Sequence, residues 1–160
     1  MIEIDTYLKI EDNFVNIKEI SLIDTVKDNV DIDYLEGAII IKYWSTEVTG
    51  IKEWDYVDQL WNYYIKAIGE CIRTGESTFC FPDQPLRVSM KLNHNDSCVF
   101  SVNFGAEEKK TYFDSFKDLA KEMLNSYLDF CKVTGTIFNY SNNIHQDYKS
   151  IIENFISRYI

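Results

Sequence analysis

With 160 residues, 46% of them hydrophobic and 15% aromatic, the chain has the length and apolar content of one ordinary domain with a dense core, which excludes intrinsic disorder. Its net charge of −10 excludes a phosphate-gripping surface for DNA or RNA, because lysines and arginines are dispersed apart from Lys109-Lys110. The longest apolar run, Ala38 to Ile41, is far too short to span a bilayer, so no membrane partner is expected.

The charge is unevenly placed. Residues 1–60 hold 14 acids and 5 bases, a net of −9, whereas residues 61–160 hold 12 acids and 11 bases, a net of −1. An acid-rich first third either keeps the chain soluble or offers a face to a basic partner. Cys71, Cys80, Cys98 and Cys131 form no CxxC pair and lie in or beside apolar patterns, which reads as reduced core thiols of a cytoplasmic protein. Glu3 and Asp5 stand where a secretion signal needs lysines, which points the same way.

In chain order, Ile2, Ile4, Thr6, Leu8 and Ile10 alternate with polar residues and predict a half-buried strand ended by Glu11-Asp12-Asn13. A second strand is expected from Phe14 to Ile23, bent where the parity of its apolar residues changes between Ile17 and Ile20. An acidic loop from Asp24 to Asn29 leads into an alternating run at Val30, Ile32 and Tyr34, which puts Asp31 and Asp33 on one strand face. Leu35 to Trp44 is continuously apolar and β-branched in its middle, as a central strand covered on both faces would be, with Gly37 as a candidate bulge.

The strongest helical signal follows. Trp54, Val57, Trp61, Tyr64, Ile65, Ile68 and Ile72 recur at spacings of three and four, while Asp55, Asp58, Gln59, Asn62 and Lys66 fall on the other side. Gly75 ends that helix. A short strand at Thr78 to Phe81 runs into the rigid bend Pro82-Asp83-Gln84-Pro85, and Leu86–Leu92 and Cys98–Phe104 form a hairpin across Asn93 to Asp96. After a short Thr111–Phe113 strand, Asp114 or Ser115 caps a helix carrying Phe116, Leu119, Ala120, Met123, Leu124, Tyr127 and Cys131, expected to stop at Gly135. An Asn-rich loop from Thr136 to Asn143 precedes a last helix from about Ile144. The expectation is a single α+β domain over 1–160: one antiparallel sheet of about six strands, one inserted helix and two C-terminal helices packed on it.

No motif names a reaction. His94 sits in a hairpin turn and His145 at a helix start, neither with a Cys, Ser or acid pattern around it. Asp31-Ile-Asp33-Tyr-Leu-Glu36-Gly37 fails as a calcium loop, because Gly falls seventh instead of sixth and Lys42 takes the place of the closing glutamate. No GxGxxG, Walker or GxSxG pattern is present. Any two of the 26 carboxylates could converge as a glycosidase pair, but nothing singles a pair out. The reading is therefore non-enzymatic, with no cofactor and no metal. Trp54, Trp61 and Tyr64 belong to the core stripe, whereas Tyr63 points off it and Trp44 ends a strand, so those two are the candidate aromatic contacts.

Trp54-Asp-Tyr-Val-Asp-Gln-Leu-Trp61 followed by Phe81-Pro-Asp-Gln-Pro-Leu86 resembles a pattern in small bacterial cytosolic α+β proteins, some of them immunity proteins of polymorphic or contact-dependent toxin systems. The resemblance covers about Leu35 to Leu86 and implies a fold of that kind and a basic toxin domain as partner, a nuclease for instance. Joined to the acidic first third, it makes Asp24, Asp28, Asp31, Asp33, Asp55 and Asp58, with Tyr63 and Trp44, the candidate partner-binding residues. The alternatives are a stand-alone structural or regulatory adaptor, and an acidic nucleic-acid mimic that inhibits a DNA-binding enzyme.

Overall fold

The structure, a computed structural model, describes residues 1–19, 28–138 and 146–160, with residues 136–138 and 146–147 described in their backbone only. The chain is α+β, with two antiparallel sheets where the sequence predicts one. The first sheet takes β1 (Ile2–Ile10), β2 (Asn13–Asn16), β3 (Glu36–Tyr43) and β4 (Thr46–Thr49) in the order β2-β1-β3-β4, with β5 (Asp55–Tyr56) also paired to β3. The second is a meander of β6 (Glu76–Cys80), β7 (Leu86–Leu92), β8 (Cys98–Phe104) and β9 (Glu107–Phe113). Helix α1 (Val57–Thr74) joins them, and α2 (Phe116–Phe138) and α3 (Gln146–Tyr159) follow.

The split follows from α1, which contacts β3 of the first sheet and β6 and β7 of the second. Trp61 and Tyr64 divide that work. The Trp61 indole donates to Thr6 Oγ1 on β1 at 3.1 Å and packs against Tyr127 and Phe130 of α2. Tyr64 faces the second sheet, against Phe79 and Phe100. Both side chains are fully buried, a transfer term of up to about 3 kcal/mol each, from which the unpartnered Tyr64 hydroxyl subtracts. Gly69 lets α3 approach, since a Cβ there would stand 2.8 Å from Ile151 Cγ1.

β3 is the central strand of its sheet, and Gly37 through Ile41 are buried on both of its faces. Gly37 is no bulge: it pairs with Leu8 and with Asp55, and a Cβ would strike the Tyr7 carbonyl oxygen. The register shift lies instead between Ile41 and Lys42. The half of β1 that β2 leaves unpaired is covered by α2, whose Ser126 hydroxyl donates to the Ile4 carbonyl at 3.2 Å.

Other boundaries also move. Trp54 and Asp55 precede α1, because Asp55 and Tyr56 pair with β3 before the helix begins at Val57. The second strand stops at Asn16 and turns into a 3-10 segment, Ile17–Glu19; the rest of the predicted strand, and Asp24 with it, lies outside the described residues. Ile32–Tyr34 is a 3-10 turn, so strand alternation does not set the directions of Asp31 and Asp33. Gly135 is inside α2, where the hydrogen-bonded ladder carries it past the expected stop. Ser115 caps α2, its Oγ accepting the Asp118 N–H at 3.1 Å. Among the described residues no helix is long and apolar enough to cross a membrane.

Candidate functional site

Exposed aromatic rings stand near acids at both ends of β3, about 25 Å apart at the rise of an extended strand. The first surface is built where β3 begins. Asp31 caps the Ile32–Tyr34 turn by accepting the Asp33 N–H at 3.0 Å, and the buried Leu35 behind it anchors the chain, which leaves Tyr34 outside and 62% exposed. Val57 donates its N–H to the Leu35 carbonyl at 2.8 Å, and Glu36 pairs with Tyr56. That register brings the Tyr34 and Tyr56 rings to 5.9 Å. Glu36 and Asp83 lie beside Tyr56, which is half-buried, and the exposed Asp31 and Asp33 belong to the turn that carries Tyr34. Partial desolvation, then the negative charge of Asp83 and Glu36, holds the Tyr56 phenol above its ordinary value.

Asp55 lies beneath this surface. It is 2% exposed, and its carboxylate accepts the main-chain N–H groups of Tyr56, Asp83 and Gln84 at 2.7 to 3.2 Å. This corrects the expectation that Asp55 faces a partner: a carboxylate with three amide donors is held inside by them. It fixes the Pro82 to Pro85 bend and so places Asp83 beside Tyr56. Beside the bend, Lys9 lies 4.1 Å over the Trp54 ring and 3.5 Å from Glu36. Trp54 is thus half-buried at the sheet's rim, not in the core stripe.

The second surface is a cleft of about 400 Å³ where β3 ends. Trp44, 66% exposed at φ +55°, stands on the β3–β4 turn at its mouth, and its N–H donates to the Met1 carbonyl at 2.9 Å. Tyr43 forms a wall, and its hydroxyl donates to Asp114 Oδ2 at 2.7 Å, tying the first sheet to the end of β9. Asp114, at the Tyr43 wall, and Asp118, Lys121 and Glu122 of α2 complete the lining with Met1, Ile2 and Ser115. Glu122 also faces Lys18, whose ammonium is held above its ordinary value chiefly by its 2.7 Å bond to Asp5. These acids form a wall rather than a chelate: among the described residues no three His, Cys, Asp or Glu side chains converge to hold a metal ion.

The remaining expected residues fall elsewhere. Asp28 is exposed. Asp58 is half-buried in the first turn of α1 with its Oδ1 unpartnered, and burial raises its carboxyl above the usual range. Tyr63 is half-buried against Phe79 at 6.0 Å, which corrects its expected role as an exposed contact: β6 covers that flank of the helix. His94 is exposed, and His145 lies outside the described residues. Burial pushes the Cys71 thiol up to about 11 and the Cys98 thiol up to about 12, which makes both poor nucleophiles; Cys80, expected inside, is exposed.

Tyr34, Tyr56, Asp83 and the acids of α2 were not singled out by sequence reasoning. The four-residue spacing of Asp118 and Glu122 was a readable signal for one helical face, but nothing local says that the face meets Trp44 or that Asp114, ahead of the helix, joins it. No family model matches the chain, and no curated protein or solved structure matches it either.

Proposed function

We propose that this chain is a non-enzymatic binding protein of the immunity type, which neutralises a basic toxin domain by covering it with an acidic surface centred on Tyr34 and Tyr56. The observation that carries the reading is the exposed Tyr34 set against the half-buried Tyr56, with Glu36 and Asp83 beside Tyr56 and the exposed Asp31 and Asp33 in the turn that carries Tyr34. Tyrosines supply rigid contact area at low entropic cost and recur at binding hot spots, while surrounding acids speed the encounter with a cationic partner. The buried Asp55 staple supports the same reading, because it pre-organises Asp83 and Gln84 before any partner arrives. The acid-rich first third of the chain adds a long-range field of matching sign.

The test is co-expression with the variable C-terminal domain encoded by the neighbouring reading frame. The wild-type chain rescues growth and forms a complex with that domain, and the Tyr34→Ala/Tyr56→Ala double variant loses at least about 2 kcal/mol of affinity. Charge reversal at Asp31, Asp33 and Asp83 slows association and flattens its dependence on salt. Rescue and binding that survive all of these substitutions would overturn the proposed surface, and absence of any complex would overturn the proposed function.

A further inference from the structure

We infer that the Trp44 cleft is a second binding site, separate from the Tyr34–Tyr56 surface, and that its occupant is a lysine or arginine side chain presented by a protein loop. The internal template is at the other end of β3. There Lys9 lies 4.1 Å over the Trp54 ring with Glu36 3.5 Å from the same ammonium, so one cation is held between an indole face and a carboxylate. The Trp44 cleft repeats two of the three parts. It has an indole 66% exposed and, across about 400 Å³, an acidic wall from α2. Among the described residues no cation of the chain lies over the Trp44 ring; its ring neighbour is Tyr43, at 6.4 Å.

The three carboxylates are not equivalent. Asp114 is engaged by the Tyr43 hydroxyl and Glu122 is shared with Lys18, whereas Asp118 takes part in no ion pair among the described residues. Lys121, on the same helix, and the amino terminus of Met1 are the cations of the lining; they offset two of the three negative charges and leave it net negative. An anion is therefore repelled, and a wholly apolar occupant would strip water from Asp118 without replacing its hydrogen bonds. A lysine or arginine satisfies both walls: its alkyl stem and charge lie on the aromatic rings and its donors reach Asp118. At about 400 Å³ the cleft has room for a long side chain with part of the loop that presents it, and it is open to solvent.

The experiment follows the three tryptophan indole N–H signals of the full chain by NMR during titration with a capped tetra-arginine peptide, and with capped tetra-glutamine as the neutral control. A saturable shift at Trp44, with Trp61 unmoved and the glutamine peptide silent, is expected. In the Asp118→Asn/Glu122→Gln variant the peptide binds about tenfold more weakly. In Trp44→Ala the same loss is read at the Asp114 and Asp118 amides, and the remaining amide spectrum checks that the fold is intact. Tyr34→Ala/Tyr56→Ala leaves the shift unchanged, which separates this site from the proposed toxin-binding surface. A shift that does not saturate, that persists in Asp118→Asn/Glu122→Gln, that the glutamine peptide reproduces, or that the tyrosine variant abolishes overturns the inference.

Discussion

The Asp55 carboxylate accepts the Gln84 main-chain N–H at 2.9 Å, joining two points of the chain 29 residues apart on opposite sides of α1. A second pair of contacts to the Asp83 N–H, at 3.1 and 3.2 Å, makes this carboxylate the internal anchor of the Pro82 to Pro85 bend. Asp55→Ala leaves buried amide donors without an acceptor and is expected to lower the unfolding free energy by about 2–4 kcal/mol, with Asp55→Asn losing about half as much. Urea denaturation of the two variants measures this. A loss below that of an ordinary surface substitution would show that the bend holds itself.

The Tyr159 hydroxyl donates to Asp96 Oδ1 at 2.9 Å, and Asp96 Oδ2 accepts the Lys117 N–H at 3.2 Å, so one hairpin-turn carboxylate clasps the start of α2 and the end of α3. Burial first, then the bond to Asp96, pushes the Tyr159 phenol from 10.0 up to about 12, with Arg158 opposing. The folded state therefore keeps its proton where the unfolded chain has begun to lose it. That contribution is fully present below pH 10 and is lost as pH rises to about 12. Tyr159→Phe is expected to lose about 1 kcal/mol at neutral pH and to show a shallower alkaline decline. Some decline remains, because burial raises the Tyr64 and Tyr127 phenols in the same direction. Denaturation midpoints between pH 8 and 11.5 compare the two proteins; parallel curves would refute the clasp.

Asp58 carries the opposite lesson about a carboxylate at a helix start. Burial raises its carboxyl, and the N–H groups of Gln59 and of Asp58 itself only partly offset that. With a folded value above 3.8, its favourable contribution is present below that pH and is lost as pH rises through the folded value, so the ionised group weakens the fold at neutrality. Asp58→Asn is expected to gain up to about 1 kcal/mol at pH 7 and to match the wild type below pH 3. Thermal melts at the two pH values decide it, and a variant less stable at pH 7 would mean that the helix dipole outweighs burial.

Gly69 and Ile151 meet where α1 and α3 cross, and a Cβ at Gly69 would stand 2.8 Å from Ile151 Cγ1 and 3.1 Å from its Cδ1. Gly69→Val is expected to cost about 1–3 kcal/mol by overpacking and to expose α3 to limited proteolysis. Adding Ile151→Ala returns part of the loss, because it empties the space that the valine needs. Gly69→Val with unchanged stability and protease resistance would show that α3 is free to shift.

Periodicity made much of this fold readable in advance. The α1 stripe through Trp61, Tyr64, Ile65 and Ile68, the buried β3 run and the β7–β8 hairpin appear where the sequence puts them, because each is set by side-chain spacing within one element. The division into two sheets was not readable. Alternation says that a strand has an inner face but not which strand it joins, and that choice was made by α1 packing against β3 and β6 together.

For the candidate surfaces, the sequence by itself determined where negative charge is concentrated and that Trp44 closes the β3 region, one residue past the strand's end at Tyr43. Tertiary structure decided the rest. It buried Asp55 under amide donors from a bend 28 residues later, set Tyr34 against Tyr56 through the pairing of β3 with β5, and brought Asp118 and Glu122 of α2 to Trp44. The physical reason is the same each time. A polar side chain reads as exposed until its partner is known, and here every deciding partner comes from a different element of the chain.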